Sequence, residues 1–136
     1  MKTKSNEFLM QRRIYYADTD AGGIVYHPNY LKFCEQASTD ILYDHVLCPS
    51  SLAKLGQSFV VTQCHLEFKK PARLGDQLDV TSHIEKLTQT RCYWKHQIRK
   101  NNELLCDVKL LTVYVNQSMR PTRFPKMILE KLPSAF

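Results

Sequence analysis

From Phe59 to Val115 the chain alternates between apolar and polar residues with a period of two. Val60, Thr62, Cys64, Leu66 and Phe68 alternate with Val61, Gln63, His65, Glu67 and Lys69, and this pattern predicts a strand with one face buried. Leu78, Val80, Ser82 and Ile84 repeat it against Asp79, Thr81, His83 and Glu85, after a turn that begins at Pro71 and ends at Asp76. Two more strands are predicted over 90–99 and 103–115. Between them, Asn101 and Asn102 suit a two-residue hairpin turn, because Asn tolerates positive φ.

Upstream of Phe59 the period changes. Residues 8–16 are rich in β-favouring side chains and run into the turn formers Asp18, Asp20, Gly22 and Gly23, which predicts a first strand. Apolar residues then recur as Tyr30, Cys34, Ala37 and Ile41, flanked by Phe33 and Leu42. That spacing predicts a helix from Pro28 to about Val46, roughly 28 Å long at 1.5 Å per residue. Pro28 fits the first helical turn, where a missing N–H costs nothing. Pro49, Ser50 and Ser51 end or redirect the helix, and Gly56 closes a short segment that suits a second helical turn. In the tail, Pro121, Pro125 and Pro133 leave only Met127 to Leu132 for one or two further turns. The elements add up to one α+β domain over residues 1–136, with an antiparallel sheet of about five strands on a single helix. A sheet curled around the helix and an open two-layer sandwich both satisfy the periodicity.

Composition narrows the class. A chain of 136 residues fits one domain, and 43% hydrophobic with 24% charged residues excludes a disordered chain. No apolar run approaches the ~18 residues of a membrane span. Lys2 and Lys4 are followed only by Phe8, Leu9 and Met10 as an apolar block, too short for the core of a signal peptide. Cys34, Cys48, Cys64, Cys92 and Cys106 are odd in number, include no Cys-x-x-Cys pair and sit mostly in apolar segments. Reduced core thiols in a cytoplasm are the expectation. The net charge of +6 suits either a solvated surface or an anionic partner.

The chain has no Gly-x-Ser-x-Gly elbow, no phosphate-cradling glycine loop and no His-Glu-x-x-His. Its histidines at 27, 45, 65, 83 and 96 never pair at i, i+2 or i, i+4, so no metal site is expected. Chemically able residues concentrate between Tyr15 and Tyr30, where Asp18, Asp20, Gly22, Gly23 and His27 precede a helix start. Backbone N–H groups there lack intrahelical acceptors and can hold a polarised carbonyl oxygen. The plainer reading is a turn capped by Asp18, Thr19 and Asp20, with glycines permitting its geometry.

The segment Asp18-Thr19-Asp20-Ala21-Gly22-Gly23-Ile24-Val25-Tyr26-His27-Pro28-Asn29-Tyr30 resembles the signature of the 4-hydroxybenzoyl-CoA thioesterase family, most closely its Tol-Pal-associated acyl-CoA thioesterase branch. The resemblance continues through Leu31 to Glu35, Leu66 to Asp76 and Arg120 to Pro125. It implies a hotdog fold, in which a curled sheet wraps one long helix, and hydrolysis of an acyl-CoA to free acid and coenzyme A. By position it puts the catalytic carboxylate on Asp20, the motif histidine on His27, and the oxyanion-binding amides at His27 and Tyr26. Whether Asp20 attacks directly or activates water stays open. Ala17 and Pro28 depart from the residues frequent in the branch.

Coenzyme A would be part of the substrate, with no separate cofactor. Its phosphates give the basic charge a use, and Lys69, Lys70, Arg73 and Arg91 near strand ends are the candidates to meet them; lysines guarding a strand edge are the alternative. Family membership implies a homodimer or homotetramer, with each lone subunit holding half a site. No nucleic acid is expected as a partner, because alternation buries Trp94 and Phe68 and leaves only Tyr93 on the other face. The rivals to a thioesterase are a hydratase or dehydratase of the same fold, and a silent acyl-CoA or nucleic-acid binding protein on the same scaffold.

Overall fold

The computed structural model describes residues 7–46 and 49–135; Lys2, Lys4 and Cys48 fall outside them. Strand β1 (Phe8–Arg13) leads into helix α1 (Pro28–Ile41), which widens into a π-helical turn over Leu42–Val46. A short α2 (Pro49–Lys54) precedes β2 (Ser58–Phe68), β3 (Gln77–Leu87), β4 (Arg91–Lys100) and β5 (Glu103–Val115), and α3 (Lys126–Ala135) is the last described element. The five strands form one antiparallel sheet in the order β1-β3-β4-β5-β2. Asn101 and Asn102 make the β4–β5 hairpin with φ of 48° and 68°, as expected.

The first strand is shorter than the sequence suggests. Pairing stops at Arg13, Ile14 N–H donates to the Asp76 carbonyl, and Tyr16–Asp18 folds into a 3₁₀ turn. Asp18 drives that turn by accepting the Tyr15 N–H at 2.9 Å, a local alternative to the ladder.

Helix α1 buries Tyr30, Phe33, Cys34, Ala37 and Ile41 on one stripe, and packs on β1, β3 and β5. The sheet answers with Leu78, Val80, Cys92, Ile98, Cys106, Val108 and Tyr114 on a single face. His96 lies in this core with no exposure, between Ser82 (Nδ1 to Oγ, 2.7 Å) and Ser38 (Nε2 to Oγ, 3.3 Å). Burial there disfavours the imidazolium and pushes its pKa down to about 3.

Strand β2 departs from the predicted half-buried pattern. It is the edge of the sheet, and although the Tyr30 ring of α1 meets Phe68, most of its residues are exposed. A bulge between Val61 and Gln63 leaves Thr62 out of the register. The bulge shifts the alternation, so Phe59 and Val61 share the core-side face with Cys64, Leu66 and Phe68, opposite buried Tyr114, Thr112, Leu110, Val108 and Cys106. Trp94 is buried as expected; Phe68 is not, at 52% exposed.

Candidate functional site

The segment between β1 and α1 is a closed loop. Thr19 bridges to Val25, Asp20 N–H donates to the Ile24 carbonyl and Gly23 N–H to the Asp20 carbonyl, both at 3.0 Å. Asp20 projects from this turn, exposed to solvent, with Oδ1 accepting the Gly22 N–H at 2.9 Å. A Cβ on residue 22 would sit 3.2 Å from that oxygen, and Gly23 has φ +78°. Small residues here leave the carboxylate approachable and let the chain reverse.

Asp18 has the opposite environment. It is 7% exposed, its carboxylate lies 3.3 Å from Arg12 Nη2, and its carbonyl accepts N–H groups from Tyr26 and the Asn29 side chain, each at 2.9 Å. The plain capping role fits Asp18 and leaves one Asp20 carboxylate oxygen uncommitted among the described residues.

The loop delivers the chain to α1 through His27, which occupies the cap position without a capping side chain. Its ring meets Tyr26 and Phe68, with centroids 5.2 and 6.3 Å apart, and no hydrogen-bond partner is present among the described residues. The amides differ in a way the sequence did not distinguish. Tyr26 N–H is donated to Asp18, so this expected oxyanion donor is already occupied. Pro28 has no N–H, Asn29 and Tyr30 donate to Tyr26 and His27, and the His27 N–H has no acceptor among the described residues.

A cavity of about 340 Å³ opens beside this helix start, lined by His27, Tyr30, Phe68, Lys69 and Lys70 among others. The structure thus brings two of the four basic candidates to His27. Lys69 pairs with Glu67 at 2.8 Å and Lys70 with Glu103, both on the surface. The Glu67 carboxylate raises the Lys69 pKa, and Lys69 with His65 lowers that of Glu67. Arg73 bridges to Ile24, next to the same cavity. Arg91 is not brought here within one chain. Phe68 is level with Cys106 and Ile98, and Arg91 lies seven residues further along β4, about 23 Å away at strand rise.

A second, more apolar cavity of about 430 Å³ lies between the far half of α1 and the start of β2, walled by Leu31, Leu42, Phe59, Val61, Trp94 and Leu110 among others. Periodicity along β2 could not reveal it, because its wall depends on the bulge. Cys34, Cys64, Cys92 and Cys106 are free thiols. Burial raises the pKa of Cys34, Cys92 and Cys106, the last to about 12, so these three are poor nucleophiles. No group of side chains able to hold a metal occurs among the described residues, and no helix there is long and apolar enough to cross a membrane.

A five-stranded antiparallel sheet on one long helix is the hotdog fold of a thioesterase-like protein. The sequence pattern of the thioesterase-like superfamily matches residues 15–132, and the chain belongs to that family. Within it, the chain is 37% identical over 119 residues to the acyl-CoA thioester hydrolase YbgC of Escherichia coli O6:H1, covering 86% of this chain and 89% of that one. It is 32% identical over 126 residues to the acyl-CoA thioesterase YbgC of Haemophilus influenzae, covering 90% and 92%. A probable thioesterase from Bartonella henselae superposes with a TM-score of 0.83 at 29% identity, over 88% of this chain and 99% of that structure. The chain is therefore a homologue of the Tol-Pal-associated YbgC branch.

Proposed function

We propose that the protein hydrolyses an acyl-CoA thioester, with Asp20 as base or nucleophile and the His27 N–H as oxyanion donor. The observation that carries this reading is the unengaged His27 amide at the head of α1, on a cavity that also holds Lys69 and Lys70. The thioester carbonyl would accept that N–H as charge develops on its oxygen. Asp20 either attacks the carbonyl carbon or takes a proton from the attacking water, and the thiolate of coenzyme A leaves. The His27 imidazole orients the attacking group. Lys69 and Lys70 would exchange their carboxylate partners for the phosphates of coenzyme A, with Arg73 beside them.

The assembled enzyme is a homodimer in this reading, joined through β2. An eleven-residue edge with Val61 and Phe68 half exposed is unfinished as a surface. Antiparallel pairing of two β2 edges would set the Val60 end of one beside the Phe68 end of the other. Arg91, level with Val60 through Val113, would then approach the neighbour's cavity. The free thiols support action in the cytoplasm.

A panel of acyl-CoAs with a thiol-detecting reagent tests the reaction, since hydration of the acyl group would leave coenzyme A attached. Asp20→Asn should lose at least ~100-fold in kcat while folding normally, because an amide neither attacks nor accepts the proton. His27→Ala keeps the amide and should lose less. Undiminished turnover by Asp20→Asn would overturn the mechanism.

A further inference from the structure

Arg12 is an inward-facing charge on an edge strand. Its ladder partner is Leu78, which has no solvent exposure, so the alternation of β1 turns Arg12 toward α1. There the guanidinium carbon lies 4.0 Å from the centroid of the Phe33 ring. Nη1 donates to Gln36 Oε1, and Nη2 lies 3.4 and 3.3 Å from Asp18 Oδ1 and Oδ2. One side chain therefore ties three segments together: the strand, the loop and the helix.

What hangs from the loop end of this tie is the candidate chemistry. Asp18 accepts the Tyr15 N–H through its carboxylate, and the Tyr26 and Asn29 donors through its carbonyl. Tyr26 is followed by His27 with its unengaged N–H, and Asp20 is two residues beyond Asp18. The planar guanidinium suits this task better than an ammonium would, because it can stack on a ring while its separate N–H groups reach two acceptors.

We infer that Arg12 is a positioning residue for thioester hydrolysis, fixing Asp18 against α1 so that Asp20 and the His27 amide keep their mutual geometry. The inference rests on the function proposed above. An inward charge also blunts a strand edge against stray pairing, and that role alone would alter solubility and leave turnover untouched. A loop displaced by about 1 Å can cost ~100-fold in rate without weakening a substrate held elsewhere. The coenzyme A contacts, on Lys69 and Lys70, lie outside the Arg12 network.

The test measures kcat, KM and thermal midpoint for wild type, Arg12→Lys, Arg12→Met, Asp18→Asn, the Arg12→Lys/Asp18→Asn double variant, and Arg13→Lys, whose parent residue is exposed and donates to the Gly75 carbonyl. Arg12→Lys should lower kcat about 10-fold and Arg12→Met about 100-fold, each with KM within about 2-fold of wild type. The double variant should be no worse than its worse parent, the mark of residues acting through one contact. Arg13→Lys should match wild type. If Arg12→Met does not fold, Arg12→Lys decides alone. Unchanged kcat per folded molecule in Arg12→Lys, even with a lowered midpoint, overturns the inference, as does a loss confined to KM. Should wild type release no thiol, or Asp20→Asn equal it, the proposed function fails and this inference with it; an Asp20-dependent enzyme indifferent to Arg12 sinks the inference alone.

Discussion

The two edges of the sheet are built on opposite plans. β1 is six residues long and directs Arg12 into the α1 side, where the charge is paired and stacked. β2 is eleven residues long, carries a bulge, and leaves Val61 and Phe68 about half exposed. Short length and an inward charge are ways of closing an edge, whereas a long apolar one invites a second chain. The contrast teaches that the two edges are closed to different degrees, and that the more open one lies next to both cavities.

Placing a charge on each edge in turn is the harshest challenge to that contrast. Val61→Lys should keep the protein monomeric by light scattering, where the proposed β2-joined dimer predicts a dimer for wild type, and lower thiol release about 100-fold, because in that proposal each half-site needs its neighbour. Gln11→Lys on β1, an exposed position already bonded to Asp79, should change neither. Full activity in a monomeric Val61→Lys protein would abolish the asymmetry.

A smaller effect belongs to the row joining the edges, which runs from Phe8 through Ser82, His96 and Val108 to Leu66. The folded pKa of His96 is depressed to about 3, so the unfolded chain takes up the proton first as pH falls. Its stabilisation is full above the unfolded value of about 6.5 and lost from there toward 3, at no more than about 1.4 kcal/mol per pH unit. Denaturant titrations between pH 7 and 5 should show a loss of about 2 kcal/mol that His96→Gln largely removes. The same slope in Val61→Lys would assign it to the core, and a slope unaffected by His96→Gln would assign it to other groups.

Smallest is the protection of a thiol. Cys64 sits exposed mid-way along β2, while Cys34, Cys92 and Cys106 are buried. Alkylation of Cys64 should slow about 10-fold as protein concentration rises through the dimer constant. A rate independent of concentration would place the interface elsewhere.

Local signals were legible in the sequence. Pro28 and the Tyr30, Cys34, Ala37, Ile41 stripe located α1, period two located four strands, and the Asp-Thr-Asp-Ala-Gly-Gly segment located the loop. Features set by distant partners were not legible. Asp18 and Asp20 look alike in a loop, and only the approach of Arg12 from β1 and Asn29 from α1 separates a buried anchor from an exposed carboxylate. Phe68 belongs to an apolar alternation, yet its exposure follows from β2 lying at the sheet edge. The competition among helix-start amides was equally invisible, since it turns on which carbonyl Tyr26 reaches.

The bulge at Thr62 has an evolutionary side. Every other residue of β2 takes its facing from a count of two, and Thr62 is the unpaired member that lets both halves of the strand present apolar side chains to one side. Loss of that one codon would close the bulge without turning any side chain over, because Val61 and Gln63 already face the consecutive residues Thr112 and Leu111. Position 62 is thus a place where the gene can shorten by one codon without moving the apolar face of β2.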